Sequence, residues 1–272
     1  MIAAPLVPYA DRTRPVTEHE LLAVAEEAAR AAADELLARF GRRPAGVRTK
    51  STPTDLVSEA DVAAEAAIRD ILDREVPDDA ILAEEGGATG EGERRWLVDP
   101  LDGTVNFLFG IPAYAVSIAC EDTSGTLAGV VLDPTRKECF TATRSGQPAL
   151  NGKPLDGPRP ASELGTAMVA TGFGYDARVR ARQAEVVARV LPRVRDIRRV
   201  GAAALDLAWV ACGRYDAYYE RGLNPWDLAA GALIASRAGL EVRELPAVGD
   251  DPEGVVVAPG ELMGELWGLV GG

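Results

Sequence analysis

The side chains best placed for chemistry are acids that close apolar runs. Trp96, Leu97 and Val98 have the character of a buried strand end, and Asp99, Pro100, Leu101, Asp102, Gly103 and Thr104 follow directly. Proline cannot donate to a sheet ladder, so the strand is expected to stop at Asp99. Asp102 to Thr104 then form the mouth of a turn that opens a short helix. Glu84 and Glu85 end a second apolar run, residues 80–83, and Asp227 sits in Asn224-Pro225-Trp226-Asp227 at the head of an apolar helix. Asp-Pro and Asp-Gly are ordinary turn dipeptides, and either alone means little. Their company changes the reading, because buried acids are rare unless paired or bound to metal. Glu84, Glu85, Asp99, Asp102 and Asp227 gathered on one side of a layered fold would repel one another and raise their own pKa values. A hard, oxygen-preferring divalent cation cancels that repulsion, which points to Mg²⁺. Two such ions about 3.5–4 Å apart can clamp a phosphate and activate a water. Gly103 lets the backbone come close to a ligand, and the N–H groups after it can face an anion. The implied chemistry is metal-assisted hydrolysis of a phosphate ester, with water as nucleophile and no covalent enzyme intermediate.

Other phosphatase routes lack their residues. Cys139 is followed by Arg144 with four intervening residues, where a Cys-x5-Arg loop needs five. Asp99 and Asp102 have two residues between them, where an Asp-x-Asp nucleophile pair has one. No Gly-x4-Gly-Lys-Ser/Thr loop occurs. The single histidine, His19, lies at the start of a helix and reads as a solvated residue. A serine triad needs a histidine beside its serine, and zinc sites want several His or Cys.

Composition narrows the setting. A net charge of −13, from 29 basic and 42 acidic residues, argues against nucleic acid as a partner, since phosphate backbones need Lys and Arg. An acidic protein with a phosphate-bearing substrate needs cations at its site. Met1 to Tyr9 lacks the basic region and long apolar core of a signal peptide. No run approaches the ~18 apolar residues of a membrane helix. Cys120, Cys139 and Cys212 are odd in number and lie in apolar surroundings; they are expected to be reduced and buried, which suits a cytoplasmic protein. The 272 residues, 47% apolar, allow a substantial core in one large domain or two smaller ones.

The elements that must position the acids follow from patterning. Thr17 and Glu20 make a capping box for a helix running to about residue 40. Residues 41–47 break it, and Lys50 to Val57 read as a loop or irregular hairpin. Ser58 caps a second helix with Val62, Ala66 and Ile71 as its inward stripe, and Asp61 in its first turn suits the helix dipole. A strand ends at Glu84, residues 86–93 form a polar glycine-rich loop, and strands follow over 114–120, 127–132 and 139–143. Asn151-Gly152 signals a tight turn. The first half thus reads as two helices on a mostly antiparallel sheet. The second half alternates: strands over 167–171, 197–200, 215–220 and 255–258, and helices over 178–191, 204–212, 226–238 and 261–270, an α/β pattern. Pro154, Gly157, Pro158 and Pro160 mark a boundary, dividing an N-terminal α+β subdomain (1–157), with most of the acids, from a C-terminal α/β subdomain (158–272) with Asp227.

Lys50 with Asp55 to Asp61, Glu84-Glu85, Trp96 to Phe107, Gly201 to Asp206 and Tyr218 to Gly231 together resemble the inositol monophosphatase family, within the lithium-sensitive, Mg²⁺-dependent phosphatases. The order and spacing span roughly residues 47–260. The resemblance implies an α-β-α-β-α layered sandwich, usually a homodimer, acting on a small-molecule phosphate monoester. It implies that Glu84, Asp99 and the Leu101 carbonyl hold one Mg²⁺, that Asp99, Asp102 and Asp227 hold a second, and that a weaker third leans on Glu84. Thr104 and Asp61 would form a hydrogen-bonded pair that, with Glu84, orients and deprotonates the attacking water. The Gly103 and Thr104 amides would hold the phosphate, and Ala203, Glu220 and Asp102 would meet the substrate hydroxyls. Glu85 stands behind the ligands, and Lys50 belongs to a loop near the metals.

The chain departs from the family pattern at Ala202, where many members have Ser or Thr, and at Ala83, where Gly is common. Gly172-Phe173-Gly174 falls where members differ and substrate choice is partly set. The expected reaction is hydrolysis of myo-inositol monophosphate. Histidinol phosphate, fructose 1,6-bisphosphate or a 3′-phosphoadenosine nucleotide are alternative substrates for the same chemistry, and a non-catalytic regulatory protein is the alternative outside it.

Overall fold

The computed structural model describes residues 16–42, 46–50, 56–158 and 161–271. The readings of Met1 to Tyr9, of the 51–55 stretch with its Asp55 match, and of Pro160 lie outside these residues.

Thr17 and Glu20 close the expected capping box, with Glu20 N–H donating to Thr17 Oγ1 at 3.3 Å and Thr17 N–H to Glu20 Oε2 at 2.9 Å. They start α1 (Glu18–Arg39). A short antiparallel ribbon, β1 (Arg48–Thr49) and β2 (Leu56–Val57), leads to α2 (Glu59–Glu75), capped by Ser58. The large sheet comprises β3 (Ala80–Ala83), β4 (Gly87–Thr89), β5 (Arg95–Asp102), β6 (Ala115–Asp122), β7 (Gly125–Asp133), β8 (Glu138–Thr143), β9 (Ala149–Leu150) and β10 (Lys153–Pro154). Its order is β10-β9-β8-β7-β6-β5-β3-β4, antiparallel except where β3 runs beside β5. Between β5 and β6 lies the one-turn helix α3 (Thr104–Leu108).

The second sheet holds β11 (Met168–Thr171), β12 (Asp196–Arg198), β13 (Ala217–Arg221), β14 (Glu241–Leu245) and β15 (Gly254–Ala258), in the order β12-β11-β13-β15-β14. It is parallel around β11 and antiparallel at β15. Helices α4 (Ala177–Val190), α5 (Ala203–Ala211), α6 (Pro225–Arg237) and α7 (Gly260–Val270) complete it.

Alternation along β5 splits the core into layers. Trp96 and Val98 face α1 and α2, packing with Leu21, Leu36 and Ile68. Leu97 faces the other way, toward Leu205 and Ile234 of α5 and α6, which also meet Tyr218 and Val257 of the second sheet. On that sheet's outer side, Val169 and Val256 pack against Val190 of α4 and Leu262 of α7. The result is an α-β-α-β-α sandwich. Helix α5 is buried along its whole length, which explains its unbroken apolar run. No helix among the described residues is long and apolar enough to cross a membrane.

Several expectations are corrected. Strand β5 does not stop at Asp99: it continues through Pro100 to Asp102, with a register shift between Asp99 and Asp102. A bulge takes the proline out of the ladder, where its missing N–H costs nothing. The 86–93 loop contains β4, and β14 was not foreseen. In α2 the inward face is not Val62 and Ala66, which are exposed, but Ala60, Asp61, Ala64, Glu65, Ile68 and Ile71. The buried stripe carries two acids, so choosing its phase by apolar type alone rotates it. All three cysteines are free, but only Cys120 is fully buried.

Candidate active site

The bulge in β5 aims two acids at different partners. Asp99 is paired in register with Ser117 of β6, is 2% exposed, and accepts the Leu101 N–H at Oδ1 (3.0 Å). Asp102, past the bulge, reaches the N-terminus of α5. Its Oδ1 accepts the Ala203 N–H at 3.0 Å, and its Oδ2 accepts the N–H groups of Ala204 and Leu205 at 2.8 and 3.4 Å. The residue before α5, Ala202, has no side chain able to cap. A carboxylate from another element therefore satisfies the first donors of the helix, in a position its dipole favours.

Gly103 has φ +91°, and a Cβ there would stand 3.0 Å from the Ala113 carbonyl and 3.2 Å from Ala202 Cβ, so only glycine makes this turn. Asn106 of α3 then ties the two halves together: its Nδ2 donates to the Ala113 carbonyl at 2.8 Å and the Val200 carbonyl at 2.9 Å. This holds the start of α5 beside Gly103.

Asp61 divides its oxygens between two tasks. Oδ2 accepts the N–H and Oγ of Ser58, at 2.8 and 2.7 Å, which caps α2. Oδ1 lies 2.9 Å from Thr104 Oγ1, which is also 3.0 Å from the Leu101 carbonyl. The Glu84 N–H donates to the Val98 carbonyl at 3.1 Å, extending the β3–β5 register by one residue and setting Glu84 beside Asp99. Lys50 Nζ lies 2.8 Å from Glu84 and also pairs with Glu85. Asp227 accepts the Asn224 N–H at 2.7 Å, and Ser117 Oγ donates to the Trp226 carbonyl at 3.0 Å, anchoring α6 next to the strand pair that carries Asp99. At the end of β13, Glu220 accepts the Tyr218 hydroxyl at 2.6 Å. A Cβ at Gly172 would collide with the Glu220 carboxylate, which fills the space a side chain would need.

These acids hold protons unusually well. Burial, then Glu84, Asp102 and Asp227, push Asp99 well above the carboxylate range. Burial pushes Asp102 up to about 7 against the pull of the α5 amides. It takes Asp227 to about 7, helped by Asp102 and Glu84 and opposed by the Asn224 N–H. Glu220 also reaches about 7 through burial, opposed by the Tyr218 hydroxyl and Arg199. Among the described residues no three His, Cys, Asp or Glu side chains are drawn into a ready-made metal cage. No ion pair among the described residues reaches Asp99, Asp102 or Asp227. An all-oxygen donor set with uncompensated buried charge suits a hard divalent cation.

Glu84, Asp99, Leu101, Asp102, Gly103, Thr104, Ala203, Glu220 and Asp227 all line one cavity of about 410 Å³, as does Lys50. Asp61 stands behind Thr104, and Glu85 lies off the lining, on Lys50. Roomier depressions exist elsewhere on the surface, but neither collects acids from strand ends. Ala203, matched to the substrate by resemblance, has its N–H already engaged by Asp102. Sequence reasoning missed Glu65, Asn106 and Arg199. Glu65 had a signal: at four residues from Asp61 it shares a helix face with it. Arg199, in an arginine-rich stretch, had none.

The inositol monophosphatase family model matches residues 17–266. The inositol-1-monophosphatase SuhB of Mycobacterium tuberculosis is 46% identical over 221 residues, covering 76% of this chain and 74% of that protein. The Nus factor SuhB of Escherichia coli is 40% identical over 224 residues, covering 81% of this chain and 84% of that protein. The solved structure of an inositol monophosphatase from Anabaena is similar with a TM-score of 0.80 at 34% identity, covering 93% of this chain and 95% of that one.

Proposed function

The chain belongs to the inositol monophosphatase family, and from that premise we propose that it is a Mg²⁺-dependent phosphomonoesterase that hydrolyses myo-inositol monophosphate to inositol and phosphate. One observation carries the reading. Acids from the end of β3, from β5 and from α6 line a single cavity, where burial and neighbouring carboxylates push Asp99 and Asp227 up, with Thr104 in its wall and Asp61 hydrogen-bonded behind it.

In this reading Glu84, Asp99 and the Leu101 carbonyl hold one Mg²⁺, Asp99, Asp102 and Asp227 a second, and Glu84 supports a weaker third. When bound, the cations neutralise the acids, polarise the phosphoryl group and lower the pKa of water. Thr104 Oγ1, donating its proton to Asp61 Oδ1, keeps lone pairs for the attacking water, and Asp61 receives the proton that passes through the hydroxyl. Glu84 flanks the same water. The Gly103 and Thr104 amides face the phosphoryl oxygens. Asp102, Glu220 and Ala203 meet the hydroxyls of the alcohol.

The partner is a small-molecule phosphate monoester rather than nucleic acid or a membrane, in keeping with the net charge of −13, and the setting is the cytoplasm. The quaternary state is a homodimer; Phe109 and Ile111, 75% and 48% exposed, are apolar side chains a partner would cover. The subdomain division at residues 157/158 fits a large sheet built from residues 80–154 and a second from residues 168–258.

Phosphate release from myo-inositol 1-phosphate, with Mg²⁺ and with EDTA, tests the reading; activity that survives chelation overturns it. Comparing kcat/KM with histidinol phosphate, fructose 1,6-bisphosphate and a 3′-phosphoadenosine nucleotide sets the leaving group. The Escherichia coli relative's name, Nus factor, favours a second reading, a role without turnover. Failure to release phosphate from any of these esters at saturating Mg²⁺ would support it.

A further inference from the structure

Arg199 brings the cavity a cation that the proposed chemistry leaves unused. It follows β12, lines the same cavity as Asp102, Gly103, Ala203 and Glu220, and lays its guanidinium over the Phe173 ring, 5.6 Å from the centroid. Among the described residues it makes no hydrogen bond and no ion pair. The cavity's other cation, Lys50, is held by Glu84 and Glu85. Arg180, which abuts the same segment, is spent on the carbonyls of Gly174 and Tyr175. A Cβ at Gly201 would collide with Arg199 Nη1, so the guanidinium crosses bare backbone beside the start of α5.

Its neighbours place it on the alcohol side of the site. The acids that feel Arg199 are Glu220 and Asp206. Neither pairs with it, and Glu220 is already engaged by the Tyr218 hydroxyl. Arg199 is exposed at the rim of the cavity, and in a chain with 42 acids against 29 bases an arginine left without a carboxylate at the mouth of an acid-lined cavity is a donor open to an incoming anion. Polyol hydroxyls do not require it, because Glu220 and Asp102 can accept from them. A flat, permanently charged fork, stacked on an aromatic ring, matches a phosphate or carboxylate instead.

We infer that Arg199, backed by Phe173, forms a subsite for a second anionic group carried on the alcohol portion of the substrate. Preferred substrates are then phosphate esters that bear another phosphate or a carboxylate. The inference rests on the hydrolase reading of the site.

Two matched pairs of probes test it: myo-inositol 1-phosphate against myo-inositol 1,4-bisphosphate, and glycerol 2-phosphate against 2-phosphoglycerate. Each pair differs by one anion, and the two pairs separate phosphate from carboxylate. The native chain is expected to favour the doubly anionic member of at least one pair. Arg199→Ala is expected to cut that preference about 10-fold or more, through KM rather than kcat, as a lost charged hydrogen bond would. Arg199→Lys, which keeps the charge and loses the fork, is expected to fall between. A preference identical in the native chain and Arg199→Ala overturns the subsite. So does an equal fall in kcat for both members of each pair, which would put Arg199 on the scissile phosphoryl group. If nothing is hydrolysed, calorimetric titration of the bisphosphate in Mg²⁺ decides separately. Binding that depends on Arg199 keeps the subsite and removes the hydrolase reading, and binding indifferent to Arg199 removes the subsite.

Discussion

The carboxylate of Glu65 accepts the backbone N–H of Glu85 at 2.9 Å, and its two oxygens also reach the N–H of Gly86, at 3.0 and 3.2 Å. Glu65 is 4% exposed. Arg69, one turn along, binds it through Nε at 2.8 Å and donates to the Gly87 carbonyl at 3.1 Å and Thr89 Oγ1 at 2.9 Å. Helix α2 thus grips the turn that carries Glu84, and a proposed ligand is held by a residue that never enters the cavity. Glu65→Gln puts an NH₂ group where an acceptor stood and leaves Arg69 without its counter-charge. The expected loss is about 1–3 kcal/mol of stability. Mg²⁺ affinity is expected to fall about 10–100-fold, the usual consequence of removing support from metal ligands. Calorimetric Mg²⁺ titration checks this; unaltered affinity would show that the clamp serves the fold alone.

Asp102 is asked to do two things, and they can be separated. As the cap of α5 it is worth about 1 kcal/mol, and Asp102→Asn keeps one acceptor for that task. As a ligand it contributes charge that Asn cannot replace. The variant should stay folded, with a modest drop in unfolding temperature, while phosphate release at saturating Mg²⁺ falls by at least ~100-fold. Thermal unfolding and a phosphate assay on one preparation measure both. Near-native turnover in Asp102→Asn would remove the acid from the reaction.

How much of this could be read from the chain depends on which signals are local. Asp99, Asp102 and Asp227 were legible because each breaks an apolar run, and their types and spacing survive translation into space. Local pattern shows Asp61 only as a first-turn acid, since its Oδ1 contact crosses from α2 to α3; its pairing with Thr104 came from the family resemblance. Glu65 and Arg69 at four residues' spacing look like any solvated helix pair; the signal against that is the face Glu65 shares with Asp61, which the fold buries. Strand β14 has three charged residues out of five and lies at a sheet edge, so its pattern carries no core signal. Pro100 misled because a bulge is set by pairing geometry, which one strand alone does not encode.

The Thr104–Asp61 pair predicts a rate effect without a binding effect. Thr104→Val keeps the side chain's shape, removes the hydroxyl and leaves Asp61 Oδ1 facing a methyl group. Proton transfer through a positioned group typically contributes about 10²–10⁴-fold, so kcat should fall by that order while KM and Mg²⁺ affinity move little. Thr104→Ser, which restores the hydroxyl, should recover most of the rate. If Thr104→Val turns over normally, the attacking water is handled elsewhere in the cavity.

Asp206 makes stability depend on pH in an unusual direction. It is wholly buried in α5, and neither oxygen has a hydrogen-bond partner among the described residues. Burial, then Glu220 and Asp102, push its carboxyl well above the ordinary range, and Arg199 pulls back more weakly. The folded chain therefore keeps a proton that the unfolded chain, with an ordinary Asp pKa of about 3.9, has released. Where the native state binds more protons, stability falls as pH rises. The contribution is complete below the unfolded value and is lost as pH climbs through the raised folded value. Asp206→Asn needs no proton, so it should gain on the native chain steadily from about pH 4 upward. Urea midpoints across a pH series in EDTA give the comparison. A difference between variant and native chain that stays constant with pH would mean that Asp206 is charged in the folded protein and that some group compensates it.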